Sequence, residues 1–159
     1  MTLRAMVLGA GSAGEGHALA LRQAGAEVVA IASRTAEVVR RVADDLGIPV
    51  ATTEWRTALA DLRPDIVAIA TPGDSHVEMI EAALAQHCHI YVDKPVAVMA
   101  GQWRRVAAMP AEQRPCDWRR YSVPDAGSMN TALRDRAYPH VSSGRLTTIG
   151  VAVLRTTTQ

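Results

Sequence analysis

Gly9-Ala10-Gly11-Ser12-Ala13-Gly14 places glycine at the three fixed positions of a G-x-G-x-x-G run. The chemistry such spacing serves is phosphate binding by main chain. The first glycine permits a tight turn, and the second lets backbone approach a pyrophosphate. The third lets the following helix pack close to the preceding strand. The N–H groups that open the helix, beginning at Ser12 and Ala13, then face phosphate oxygens. The fingerprint requires a strand before it and a helix after it, and both are predicted here. Without a ligand the same glycines make only a tight strand-to-helix turn.

Ser33-Arg34-Thr35 closes the second predicted strand. An acidic residue at this point would hydrogen-bond the ribose 2′-hydroxyl of NAD, and none is present. Arg34 can instead pair with a 2′-phosphate and stack on adenine, and Ser33 and Thr35 add hydroxyl donors. The expected cofactor is therefore NADP, with NAD the less favoured choice. Arg34 as a plain exposed arginine at a helix start, and Thr35 as a plain N-cap, are the simpler readings. Methyltransferases that use S-adenosylmethionine share a similar glycine loop, but usually with an acidic residue after the second strand. A nucleophile elbow needs G-x-S-x-G, and Ala10 stands where its first glycine belongs. No Gly-Lys-Ser/Thr occurs, which excludes a Walker loop.

These residues need a frame that brings strand ends together. Leu3–Leu8, Glu27–Ala32, Pro49–Thr52, Asp65–Ala70 and Cys88–Val92 read as short apolar strands. Helical patterns over 13–24, 35–46, 54–62, 74–86 and 99–109 separate or follow them. Strict alternation predicts an α/β fold, a doubly wound parallel sheet of Rossmann type. Asp74 or Ser75 is expected to cap the fourth helix, and Gly47 to end the second. After Pro110 the pattern changes. A short helix over 131–141 and a strand over 146–154 are expected, and that strand has no later segment to pair with.

Composition excludes several classes. The 159 residues suit one core of ordinary size. The 17 basic and 16 acidic residues give no electrostatic footprint for nucleic acid or an anionic membrane. No apolar run reaches the length of a membrane span. Two cysteines, Cys88 and Cys116, cannot build a disulfide framework. His87 and His89 share a strand face while Cys88 points away, so no metal site is expected. The expected setting is cytoplasmic.

Ala70-Thr71-Pro72 with His76, and Val92-Asp93-Lys94-Pro95, follow the glycine loop in order. The set resembles the glucose–fructose oxidoreductase/inositol dehydrogenase (Gfo/Idh/MocA) family over residues 3–98, with Asp93 where members usually carry Glu. The resemblance implies that Gly9, Gly11 and Gly14 take the pyrophosphate. It implies that Thr71, Pro72 and His76 line the groove beyond the fourth strand. Lys94, between Asp93 and Pro95, would stand beside the nicotinamide as the catalytic residue, often with a cis peptide before Pro95. An ammonium there can polarise a carbonyl or stabilise a developing alkoxide. Lys94 is also the only lysine of the chain.

Complete members carry a further Asp-x-x-x-His-like pair, which this chain does not show after Lys94. The expectation is a dinucleotide-binding domain over 1–120 and a partial second domain or oligomerisation segment over 121–159. The leading function is an NADP(H)-binding oxidoreductase, transferring hydride between nicotinamide and a carbonyl or carbinol carbon of a small, sugar-like substrate. The alternative is a catalytically incomplete dinucleotide-binding module acting through a partner or as a homo-oligomer. Little dehydrogenase activity is expected of the isolated chain. The strand over 146–154 is expected to pair with a second copy.

Overall fold

In a computed structural model of the chain, residues 2–108 and 151–154 are described. The first strand, β1 (Arg4–Leu8), leads through the glycine turn into α1 (Ser12–Gln23). Then follow β2 (Glu27–Ala32), α2 (Ala36–Leu46), β3 (Val50–Thr52) and α3 (Trp55–Leu62). The second half runs β4 (Ile66–Ile69), a 3₁₀ turn (Gly73–Ser75), α4 (His76–Ala85), β5 (His89–Asp93) and α5 (Ala100–Ala108). A last strand, β6, spans Val151–Leu154.

The strands form one sheet in the order β3-β2-β1-β4-β5-β6. The first five are parallel, so each crossover needs a helix. The chain winds outward from β1 to β3, then returns to lay β4 on the other side of β1. That reversal opens a crevice between the carboxyl ends of β1 and β4, where doubly wound sheets bind ligands.

Strand alternation divides the core between two faces. Ala5 and Val7 of β1 pack with Ala18 of α1 and Val39, Val42 and Ala43 of α2. Met6 and Leu8 pack on the opposite side with Leu59 of α3, Val77, Ile80 and Leu84 of α4 and Val106 of α5. Because both faces are covered, the central strands carry almost no polar residue. Arg22, in the last turn of α1, donates to the carbonyls of Leu46 and Gly47. A cation there satisfies the orphan acceptors at the end of α2. Gly47 takes the left-handed conformation that ends α2, with φ 59°. Arg63 ends α3 in the same conformation without being glycine, with φ 44°.

One expectation is corrected. Of the strand expected over 146–154, the residues Val151–Leu154 find a partner within the chain. Val151–Leu154 pairs antiparallel with β5, Asp93 opposite Val151 and Ile90 opposite Leu154. The outer edge of β5 offers unpaired main-chain groups, and a strand of the same chain satisfies them. β6 is thus the sixth strand of the sheet. Thr35 and Ser75 hold the N-cap positions of α2 and α4, and neither makes a capping hydrogen bond through its side chain. The Ser75 hydroxyl instead lies 2.8 Å from the Pro72 carbonyl, which accepts from it, and 2.8 Å from the Thr71 hydroxyl, and so holds the turn that precedes α4. The helix expected over 131–141, the boundary near 120 and residues 146–150 lie outside the described residues.

Cys88 is buried at the start of β5, with Sγ 3.1 Å from the Pro64 carbonyl. Burial, with a smaller contribution from the Asp65 carboxylate, pushes its thiol up to about 11 from an ordinary value of 9.0. Below pH 9 the thiol is protonated in folded and unfolded chains alike. Above it the unfolded chain loses the proton first, so stability falls as pH rises from 9.0 towards about 11. Urea unfolding across that window is expected to show this slope, and Cys88→Ala to flatten it. An equal slope in both proteins would refute the assignment.

Candidate functional site

The carboxyl ends of β1, β2, β3 and β4 open on a groove of 540 Å³. Its floor is the glycine turn, from which Gly9, Ala10 and Gly11 contribute. Gly9 has φ 118°, a conformation that strains any other residue. A Cβ there would also lie 2.5 Å from the Ala70 carbonyl oxygen. A Cβ on Gly14 would overlap the carbonyl of Gly9, so α1 starts in direct contact with the turn. A Cβ on Gly11 would meet nothing within 4 Å. The turn is closed below by backbone and open above. Gly11 is the N-cap of α1 and provides no capping side chain. The first N–H groups of the helix are left to an outside acceptor, which suits a phosphate.

Ser33, Arg34 and Thr35 form one wall, and Thr71 and Pro72 the facing one. Ser33 Oγ donates to the Thr35 carbonyl at 3.2 Å, which folds this short segment over the end of β2. Arg34 and Thr35 are exposed. Ser12 and Ala13 are exposed on the first turn of α1, beside the floor and not among the lining residues. Asp93 is the last residue of β5 and Lys94 and Pro95 follow it, one strand beyond β4, and likewise none of them lines this groove. The Lys94–Pro95 peptide is cis.

His76 corrects the expectation that it lines the groove. It is 0% exposed. Its Nε2 lies 2.6 Å from the Thr71 carbonyl oxygen and its Nδ1 2.9 Å from that of Pro95. A ring with both nitrogens engaged by main chain has no edge left for a ligand. Its place at the first residue of α4 turns it inward, between the turns after β4 and β5.

Several groove residues carry no motif. Trp55, at the start of α3, and Thr53 close the end next to β3. Arg56 stacks over the Trp55 ring at 4.2 Å and pairs with Glu78 of α4 at 2.8 Å. Glu78 and Met79 themselves border the groove. The only available signal was position, because ligand-facing residues gather at the carboxyl ends of parallel strands. His17 of α1 was also missed. Its Nε2 is buried 3.1 Å from Asp93 Oδ1 without the direction of a hydrogen bond, and its ring meets Tyr91 edge-on at 4.7 Å. Among the described residues no three His, Cys, Asp or Glu side chains could hold a metal ion. No helix among them is long and apolar enough to cross a membrane.

A glycine turn between β1 and α1, at the crevice of a doubly wound sheet, defines an NAD(P)-binding domain of Rossmann type. Residues 3–116 match the oxidoreductase family with an NAD-binding Rossmann fold, and the chain belongs to that Gfo/Idh/MocA family. It is 37% identical over 76 residues to a D-xylose 1-dehydrogenase (NADP(+)) of Haloferax volcanii, covering 48% of this chain and 23% of that one. It is 35% identical over 105 residues to an inositol 2-dehydrogenase of Rhizobium meliloti, covering 65% and 31%. An NAD-binding oxidoreductase structure from Klebsiella pneumoniae superposes with a TM-score of 0.61 at 31% identity, covering 67% of this chain and 31% of that one. The chain thus spans less than a third of the length of these relatives.

The glycines separate folding from binding. Gly14→Ala is expected to cost about 1–3 kcal/mol or more through the overlap with Gly9. Gly11→Ala is expected to unfold at the same urea concentration as the wild type, within about 0.5 kcal/mol, yet to bind dinucleotide weakly. Unfolding curves and calorimetry on both variants check this. Full dinucleotide affinity in Gly11→Ala would show that the pyrophosphate does not cross that turn.

Proposed function

We propose that this chain binds NADP(H) in the groove between the glycine turn, Arg34 and the Thr71-Pro72 turn. The observation that carries the choice of cofactor is the wall after β2. Ser33, Arg34 and Thr35 border the groove there, and no carboxylate stands at the end of the strand to take a ribose 2′-hydroxyl. Glu78 also borders the groove, but Arg56 sits on its carboxylate, which reduces its repulsion of a phosphate. The Haloferax relative is named for NADP(+), whereas a 25%-identical myo-inositol dehydrogenase structure from Lactobacillus casei holds NAD(H). Gly9, Gly11, Ser12, Ala13 and Gly14 would hold the pyrophosphate, and Lys94 with Asp93 and Pro95 would flank the nicotinamide end.

The bound nicotinamide supplies or accepts a hydride at C4. The substrate is a carbinol or carbonyl carbon of a sugar or cyclitol, the class named in the xylose and inositol dehydrogenase relatives. Lys94 would stabilise negative charge developing on the substrate oxygen. The second reading is a binding module without turnover. NADPH oxidation with sugar-derived ketones supports the enzyme, and tight binding without turnover supports the module. The reading includes a cytoplasmic setting, tested by fractionation of cells that make the protein.

Arg34→Ala is expected to weaken NADPH by about 1.5–3 kcal/mol, the worth of a charge-assisted contact, and to leave NADH nearly unchanged. Calorimetry showing equal affinity of the wild type for both cofactors would overturn the NADP choice.

The reading also includes a homo-oligomer. β6 fills the edge of β5, so the contact would now use the outer edge of β6, the last strand in the sheet order. Light scattering is expected to show a dimer that is lost when the chain ends at Ser143. An unchanged mass would remove the strand-pairing argument.

A further inference from the structure

We propose that His76 is a positioning residue for Lys94, tying the turn after β5 to the groove wall after β4 through one imidazole bridge. The inference rests on the reading above, in which Lys94 serves the nicotinamide end of the groove. Lys94 lies in an exposed turn, and a long flexible side chain there is useful only if its backbone is held. His76 supplies that hold beside it. One ring nitrogen meets the carbonyl of Pro95, the residue after Lys94, at 2.9 Å. The other meets the carbonyl of Thr71, a groove residue, at 2.6 Å. The ring is 0% exposed, so water does not compete for either carbonyl.

The neighbourhood is built for close approach of these two turns. A Cβ on Gly73 would lie 2.9 Å from Val98 Cγ1 and 3.2 Å from the Pro95 carbonyl oxygen. Further out, Gln102 donates to the Asp74 carbonyl at 2.9 Å and accepts from the N–H groups of Val98 and Met99. The Gln102 ties fasten the segment beyond Lys94, and His76 reaches Pro95, the residue directly after it. On the other side Asp93, the residue before Lys94, lies against His17 of α1. The lysine is thus bracketed, and its bracket on the Thr71 side is a single side chain.

The chemistry of the bridge is selective. The imidazole carries its two nitrogens at well-separated corners of one rigid plane, one against each carbonyl. An Asn amide carries both of its donors on one nitrogen and cannot span the same gap. His76→Asn therefore keeps a polar group at the site and loses the bridge.

The experiment uses the fact that Lys94 is the only lysine of the chain. Acetylation of its amine can be followed on one peptide by mass spectrometry, apart from the N-terminus. With NADPH at about ten times its dissociation constant, Lys94 modification in the wild type is expected to slow about tenfold. In His76→Asn, at matched saturation, protection is expected to fall below about twofold, while 2′,5′-ADP, the adenine half, binds as in the wild type. Full protection in His76→Asn would overturn the positioning role and leave the cofactor reading intact. A loss of both halves together would also overturn it, since it marks a merely structural histidine. A wild type that binds neither NADPH nor 2′,5′-ADP would overturn the underlying reading and the bridge's purpose with it. Should His76→Asn fail to fold, His76→Gln is put through the same assay, and full protection of Lys94 in that variant would overturn the bridge.

Discussion

Everything at the site depends on three stretches of main chain meeting where no side chain fits. Gly9 touches the carbonyl that leaves β4, and Gly14 touches the carbonyl of Gly9. The end of β1, the start of α1 and the end of β4 are fixed against one another by backbone alone. The sheet reverses its winding at that junction, so it also decides where the groove opens. The walls follow from it. β2 runs beside β1 and delivers Ser33-Arg34-Thr35 to one side, while β4 delivers Thr71 and Pro72 to the other.

The outer layer is organised around α4. Its buried residues Val77, Ile80, Ala83 and Leu84 face the sheet. Its carboxylates reach outward, Glu78 to Arg56 of α3 and Glu81 to Arg105 of α5. Exposed pairs of this kind are worth about 0–1 kcal/mol each, so the apolar face holds the helix and the pairs orient its neighbours. One helix thereby relates the Trp55 end of the groove to the turn that carries Lys94.

What was legible in the sequence was whatever follows from local pattern. Five apolar runs became β1 to β5 within a residue or two. The glycine turn stood out because three glycines in fixed register have one steric purpose. Gly47 announced the end of α2 for the same reason. The features that escaped are pairings between distant segments. His76 and Pro95 are 19 residues apart and Arg56 and Glu78 are 22 apart, and neither spacing leaves a periodic trace. His76 was therefore assigned to the groove when its ring is wholly buried. The hydroxyls of Thr35 and Ser75 sat where caps belong, but a side-chain cap requires an orientation that residue type does not dictate. The strand Val151–Leu154 was legible as apolar, and its partner was not, because the open edge of β5 leaves no local pattern in the sequence.

Cys88 carries a consequence of a different kind. Its sulfur lies against the Pro64 carbonyl, at the seam where the segment entering β4 passes the start of β5. A protonated, buried thiol reacts with alkylating reagents only during the moments when that seam parts. The rate of its alkylation in the native protein is therefore a clock for local opening between β4 and β5. Pro64 and Cys88 precede these two parallel strands, so the clock times opening at the sheet edge opposite the groove.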